Sequence, residues 1–148
     1  MYQVVFHRFA KTGTEGRVDY AFTYIPDTQE FAISFRTSVT RLTIVNRDGT
    51  SVVRDIDFAP IGVQMVRSVA FFNPSHPTGG QFLIHVEPGR RVLITDFNLN
   101  VLSEFDAYSA LGFTRIGEND LAAITSGIYA GAFAMIGDTG ELVVFTIK

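Results

Sequence analysis

Residues 81–105, QFLIHVEPGRRVLITDFNLNVLSEF, decide how the rest of the chain is read. Two turn signals, Glu87-Pro88-Gly89-Arg90 and Phe97-Asn98-Leu99-Asn100, divide this stretch into apolar runs at 82–86, 92–96 and 101–105. Each run is rich in β-branched residues and too short for an ordinary helix, so the three together predict an antiparallel meander.

The same unit recurs on both sides. Towards the N-terminus, residues 2–9 alternate as a half-buried strand does. Further strands are expected at 18–25, 31–37, 42–45, 51–58 and 63–72. In 31–37, Phe31, Ile33 and Phe35 point one way, and Ala32, Ser34 and Arg36 the other. Asn46-Arg47-Asp48-Gly49 is a hairpin turn, because Asp-Gly supplies the positive φ that tight turns require. Asn73-Pro74-Ser75-His76-Pro77-Thr78-Gly79-Gly80 is the longest break. Towards the C-terminus, strands are expected at 113–116, 121–125, 132–136 and 142–147. Two places admit a short helix instead. Ser103 with Asp106 has a capping pattern and Gly112 a terminating one, and 119–124 can begin another helix.

The expected fold class is therefore all-β, a single domain over 1–148. It is built of antiparallel meanders in about three four-stranded blocks, at 18–58, 63–105 and 113–147. A two-sheet β-sandwich or jelly roll is the alternative, since hairpins at this spacing suit both. Within the blocks, Arg47-Asp48-Gly49, Asn98-Leu99-Asn100 and Asp138-Thr139-Gly140 each precede the last strand, at a spacing of roughly 40 to 50 residues. In this respect the chain resembles β-propeller repeats, most of all in GRRVLITDFNLNVLSEF and AGAFAMIGDTGELVVFTI. The resemblance implies propeller-blade-like blocks and nothing about functional residues, because neither a Trp-Asp dipeptide nor a kelch signature accompanies it. Three blades fall short of the roughly four to eight that close a ring. The last sheet borders then need cover, for which another copy of the chain is the simplest source.

Composition narrows the function. The 148 residues include 14 Phe, 5 Tyr and no Trp, and Phe brings buried area with no polar atom to satisfy. A net charge of −3 and scattered basic residues argue against a nucleic-acid surface. All but Lys11 and Lys148 of the basic residues are arginine, the type preferred where a charge must pair at an interface. With no Cys there is no disulfide framework, zinc knuckle or thiol nucleophile. No run approaches the roughly 20 apolar residues of a spanning helix, so no membrane partner is expected. MYQVVFHRFAKTG does not read as a signal peptide, and the Asn73 triplet is closed to glycans by Pro74. The compartment stays open, a Cys-free chain suiting the cytoplasm as well as a virion or extracellular assembly.

The sequence offers little to carry catalysis. His7, His76 and His85 lie far apart, and nothing in their spacing calls for a metal. Asp96, Asn98 and Asn100 place oxygens at alternate positions. The calcium-loop pattern then needs Gly and Glu where Val101 and Ala107 stand, so a turn is expected. Asp55 and Asp57 share a strand face, and Glu118 and Asp120 share a turn. Neither pair flanks a substrate as a glycosidase requires, and ion pairing to Arg54 or Arg115 is expected instead.

These readings point to a non-catalytic interaction module without cofactor or metal, acting as part of a homo-oligomer or larger protein assembly such as a ring, shell, virion or tail structure. The candidate contact is the loop Asn73, Pro74, Ser75, His76 and Pro77, whose prolines lower the entropy cost of ordering on a partner. The alternative is a carbohydrate-binding, lectin-like module with Tyr20, Tyr24, Tyr108 and Tyr129 as stacking residues. A carboxylate-dependent hydrolase ranks third.

Overall fold

The computed structural model describes residues 3, 18–35, 38–72, 80–88, 90–113, 121–137 and 140–147, with backbone alone for 18–20. The fold is all-β, in three antiparallel meanders. The first sheet runs β1 (Val18–Ile25), β2 (Glu30–Phe35), β3 (Arg41–Val45) and β4 (Val52–Asp57) in sequence order. The central sheet runs β5 (Met65–Phe72), β6 (Gln81–Glu87), β7 (Arg91–Thr95) and β8 (Val101–Asp106) in the same way. The last sheet holds β9 (Leu121–Ala123), β10 (Phe133–Ile136) and β11 (Leu142–Phe145), three strands among the described residues. Residues 114–116 of the expected strand at 113–116 lie outside them, as does the expected strand at 2–9 apart from Gln3. Among the described residues the strands form three sheets.

The hairpins before β4, β8 and β11 close alike. Asn46, Asp96 and Gly137 each donate their N–H to the carbonyl across the turn, of Ser51, Asn100 and Glu141. Each also accepts at its own carbonyl from a residue in the left-handed region: Gly49 (φ 68°), Leu99 (φ 67°) and Gly140 (φ 90°). In both four-stranded sheets the register slips at the start of this hairpin, between Ile44 and Val45 and between Ile94 and Thr95. The extra residue twists the strand end locally.

The sheets stack face to face. Alternate residues of a strand point to opposite faces, so a strand covered on both sides needs a continuous apolar run. Strand β6 meets this demand: Phe82, Ile84 and Val86 join Ala21, Ile25, Leu42 and Ile44 in a core between the first and central sheets. Leu83 turns the other way, into a second core with Phe133 and Met135 of the last sheet. Strand β1 runs beside β5, and β5 beside β9. Where the three first strands converge, Ala21, Phe22, Ser68, Val69 and Leu121 line a cavity of about 260 Å³. Across it, the Leu121 N–H donates to the Ser68 hydroxyl at 3.3 Å.

The two places that admit a short helix come out differently. At the first a short α-helix forms, α1 (Ala107–Leu111), capped by Asp106 and not by Ser103, which lies in β8. The Asp106 carboxylate accepts from the Tyr108 and Ser109 amides, and Gly112 closes the helix in the left-handed region. The stretch 121–123 is extended, within the strand expected at 121–125. Its three residues pair with Met135, Ala134 and Phe133, and the ladder outweighs the helix preference of the two alanines.

Candidate interaction surfaces

Burial divides the three sheets unequally. Among the described residues the central sheet is covered on both faces and no other sheet covers the outer face of β9–β11, whereas the outer face of the first sheet is exposed at Phe22 and Tyr24 but buried at Thr43 and Val45. On β9–β11, the residues turned away from the second core are Ala122, Ala134, Ile136, Leu142 and Val144. None carries a charge or a side-chain hydrogen-bonding group, and Leu142 is 64% exposed. A solvated antiparallel sheet face normally carries polar residues at these positions.

The outer face of the first sheet is aromatic beside the cavity and charged at its far strand. Phe22 pairs across the ladder with Ile33, and Tyr24 with Phe31. The Phe22 and Phe31 rings stack at 5.6 Å, and Tyr24 meets Phe31 at 5.2 Å. Phe22 is nevertheless 57% exposed and Tyr24 45%. Further out, Asp55 and Asp57 share this face with Arg41 and Thr43. Arg41 reaches Asp55 at 2.8 Å and Asp57 at 3.6 Å, so these charges are neutralised within the sheet. The Asp57 carboxyl is held below its ordinary value by the Ala59 amide first, then by the Thr40 hydroxyl and Arg41.

Arg54, expected to pair with those aspartates, faces the other way. It lies between the sheets, 4.4 Å over the Phe97 ring and 3.7 Å from buried Glu30. Neighbours on a strand alternate faces, so Arg54 and Asp55 cannot share one. Arg115, Glu118 and Asp120 lie outside the described residues.

Asp96 behaves as a turn residue. One of its carboxylate oxygens accepts from the Asn98 and Asn100 amides and the other from the Asn100 side chain, each at 2.9 Å. The Asn100 side-chain amide is the main cause holding this carboxyl below the usual aspartate value. Asp106 is lowered likewise, first by the Ser109 amide. Among the described residues no group of three or more His, Cys, Asp or Glu is placed to hold a metal ion. His85 is buried opposite Ser68, while His7 and His76 are outside the described residues.

The tyrosines singled out for sugar stacking do not share one surface. Tyr24 is on the outer aromatic face. Tyr108 packs against the second core, with the Arg90 guanidinium 4.0 Å over its ring. Tyr129 is 56% exposed and lines a surface cavity of about 410 Å³ with Ile128, Val144 and Phe145. Of Tyr20 only the backbone, in β1, is described, and the loop Asn73–Pro77 lies outside the described residues. The sequence reading missed the exposed apolar face of β9–β11. Its signal was present in 142–147, LVVFTI, where no residue is charged.

No protein-family model matches the chain, and no curated protein matches it, so the functional reading rests on these surfaces.

Proposed function

We propose that this chain is a non-catalytic interaction module that works by assembly, its exposed apolar sheet face joined to another protein surface in a larger homo- or hetero-oligomer such as a ring, shell, virion or tail structure. One observation carries the reading: among the described residues no other sheet covers the outer face of β9–β11, which is apolar at every strand position, Ala122, Ala134, Ile136, Leu142 and Val144. Contiguous apolar surface of this kind marks a contact site. The same reading takes the three meanders as successive propeller-type blades of an unclosed ring. The neighbouring first strands β1, β5 and β9 and the shared hairpin closure support it. The mass in solution tests the proposal. Light scattering at micromolar concentration is expected to give a multiple of 16.4 kDa, and the mass of a single chain would remove it.

A second reading, sugar binding, is favoured by exposed Tyr129 beside its cavity. Aromatic faces stack on sugar rings, and a saccharide-dependent rise in melting temperature, absent in Tyr129→Ala, is the expected sign. The hydrolase reading gains nothing from Asp55 and Asp57, both tied to Arg41 on one sheet face.

A further inference from the structure

The outer face of β9–β11 does not stop at its strands. Val144 on that face, with Thr146 just past β11, also lines the hollow of about 410 Å³ whose other wall is Ile128, Tyr129 and Ala130, from the loop between β9 and β10. Gly127 lies in the left-handed region at φ 80°, and the Ala130 amide donates to its carbonyl at 3.1 Å. Ile128 and Tyr129 are thus the two central residues of a closed turn, and Ile128 is 92% exposed. Turns of this kind normally carry Gly, Pro, Asn, Asp or Ser at their centre. Here a branched apolar side chain stands as a knob beside a hollow.

Knob, hollow and sheet face form one apolar surface. Ile128, Tyr129, Ile136, Leu142 and Val144 together expose on the order of 500 Å². The exposed alanines Ala122 and Ala130 bring the patch closer to the about 800 Å² per partner that a stable interface buries. None of these residues is charged, and only the Tyr129 hydroxyl needs a hydrogen-bond partner. A charged partner surface would lose its hydration here with nothing to pair it, whereas an equally uncharged one loses little. We infer that the occupant is the same face of a second copy of this chain. A two-fold joint requires a surface that complements itself, and a knob and a hollow side by side meet that requirement. Ile128 of each copy enters the hollow of the other, and the two β9–β11 faces come together beside it. The inference rests on the assembly reading and names its partner and its joint. Being isologous, the joint closes at two chains.

Variants of the knob and the face test it. Light scattering of the unmodified full chain at micromolar concentration is expected to give twice 16.4 kDa. Ile128→Asp puts a charge on the knob at an exposed turn position. It is expected to weaken association by roughly thirtyfold or more, to single-chain mass at the same concentration. Leu142→Asp does the same from the sheet face, and should circular dichroism show it unfolded, Ile128→Asp still reads the joint. The exchange of knobs also leaves a covalent trace. The chain has no cysteine of its own, so an equimolar mixture of Ile128→Cys and Thr146→Cys chains, oxidised after mixing, is expected to give a disulfide-linked pair of unlike chains. Absence of that product overturns the exchange. Two-chain mass retained by both aspartate variants, or a mass of three or more chains, overturns the two-fold joint and leaves the assembly reading standing. Single-chain mass for the unmodified protein means that no second copy occupies this face, and takes down both.

Discussion

Strands β6 and β11 are alike in composition and opposite in circumstance. Phe82, Leu83, Ile84 and Val86 of β6 are all buried, because one sheet covers Phe82, Ile84 and Val86 and another covers Leu83. In β11, Leu142-Val143-Val144-Phe145 is equally apolar, yet only Val143 and Phe145 pack against a core. Hydrophobicity alone therefore does not fix which face is used; the number of neighbouring sheets does. The largest predicted effect tests this contrast. Phe82→Ala removes a fully buried ring packed against Phe71 and Phe97 and is expected to cost about 3–5 kcal/mol in urea unfolding at any protein concentration. Leu142→Ala is expected to lower the melting temperature only at concentrations where the chain associates, since its face gains cover from a partner. An equal, concentration-independent loss in both variants breaks the comparison.

The three hairpins provide a second contrast. Where two of them place Gly49 and Gly140 in the left-handed region, the central one places Leu99, a residue that pays roughly 1–2 kcal/mol for that conformation. Burial offsets this cost, for the Leu99 side chain sits in the core between the first and central sheets. Leu99→Gly relieves the backbone but empties the core. A net loss of about 1–3 kcal/mol is expected by denaturant unfolding. A stabilised variant would show that the backbone outweighs the packing.

Much of the strand plan was legible because each strand is an apolar run bounded by Gly, Pro, Asn or Asp, and those signals are local. Other features depend on contacts between residues distant in the chain. The strand at 121–125 was expected from its apolar run, but it is pairing with β10 that decides it against the helical alternative at 119–124. Alternation along β4 already separates Arg54 from Asp55, but only the stacking of sheets shows that Arg54 turns inward to Glu30 and Phe97. The tyrosines were visible as residues, yet their dispersal was not, since it follows from which sheet each one decorates. The exposed apolar face of β9–β11 was hidden for the same reason: a run such as LVVFTI shows that a strand is apolar on both sides, not which side stays exposed.

A smaller effect separates the first two hairpins by charge. Asn46 and Asp96 do the same work, each accepting from the amides of its own turn, but only Asp96 titrates. Its folded-state pKa lies below the ordinary 3.8, so the unfolded chain takes up a proton first as pH falls. The stabilisation is complete above the unfolded value and is lost as pH drops through the folded one. Asp57 and Asp106, lowered in the same sense, add to this slope. Asp96→Asn is expected to leave neutral stability within about 1 kcal/mol and to flatten the fall in stability between about pH 5 and pH 3. Urea midpoints across that range measure it, and an unchanged slope would mean that Asp96 does not carry the acid sensitivity of its hairpin.

The least effect is expected on the rim of the aromatic face, where position decides the outcome more than distance. Arg41 and Asp55 meet at 2.8 Å, closer than Arg54 and Glu30 at 3.7 Å, yet both members of the nearer pair are about 40% exposed. Water screens such a pair, and ordering two side chains offsets most of its attraction, so Asp55→Ala is expected to change the unfolding free energy by less than about 1 kcal/mol. Glu30→Ala leaves the Arg54 guanidinium between the sheets without its carboxylate, and the loss there is expected to be several times larger. Reversal of that order in parallel urea titrations would place the stabilising charges on the exposed rim and not in the joint between the sheets.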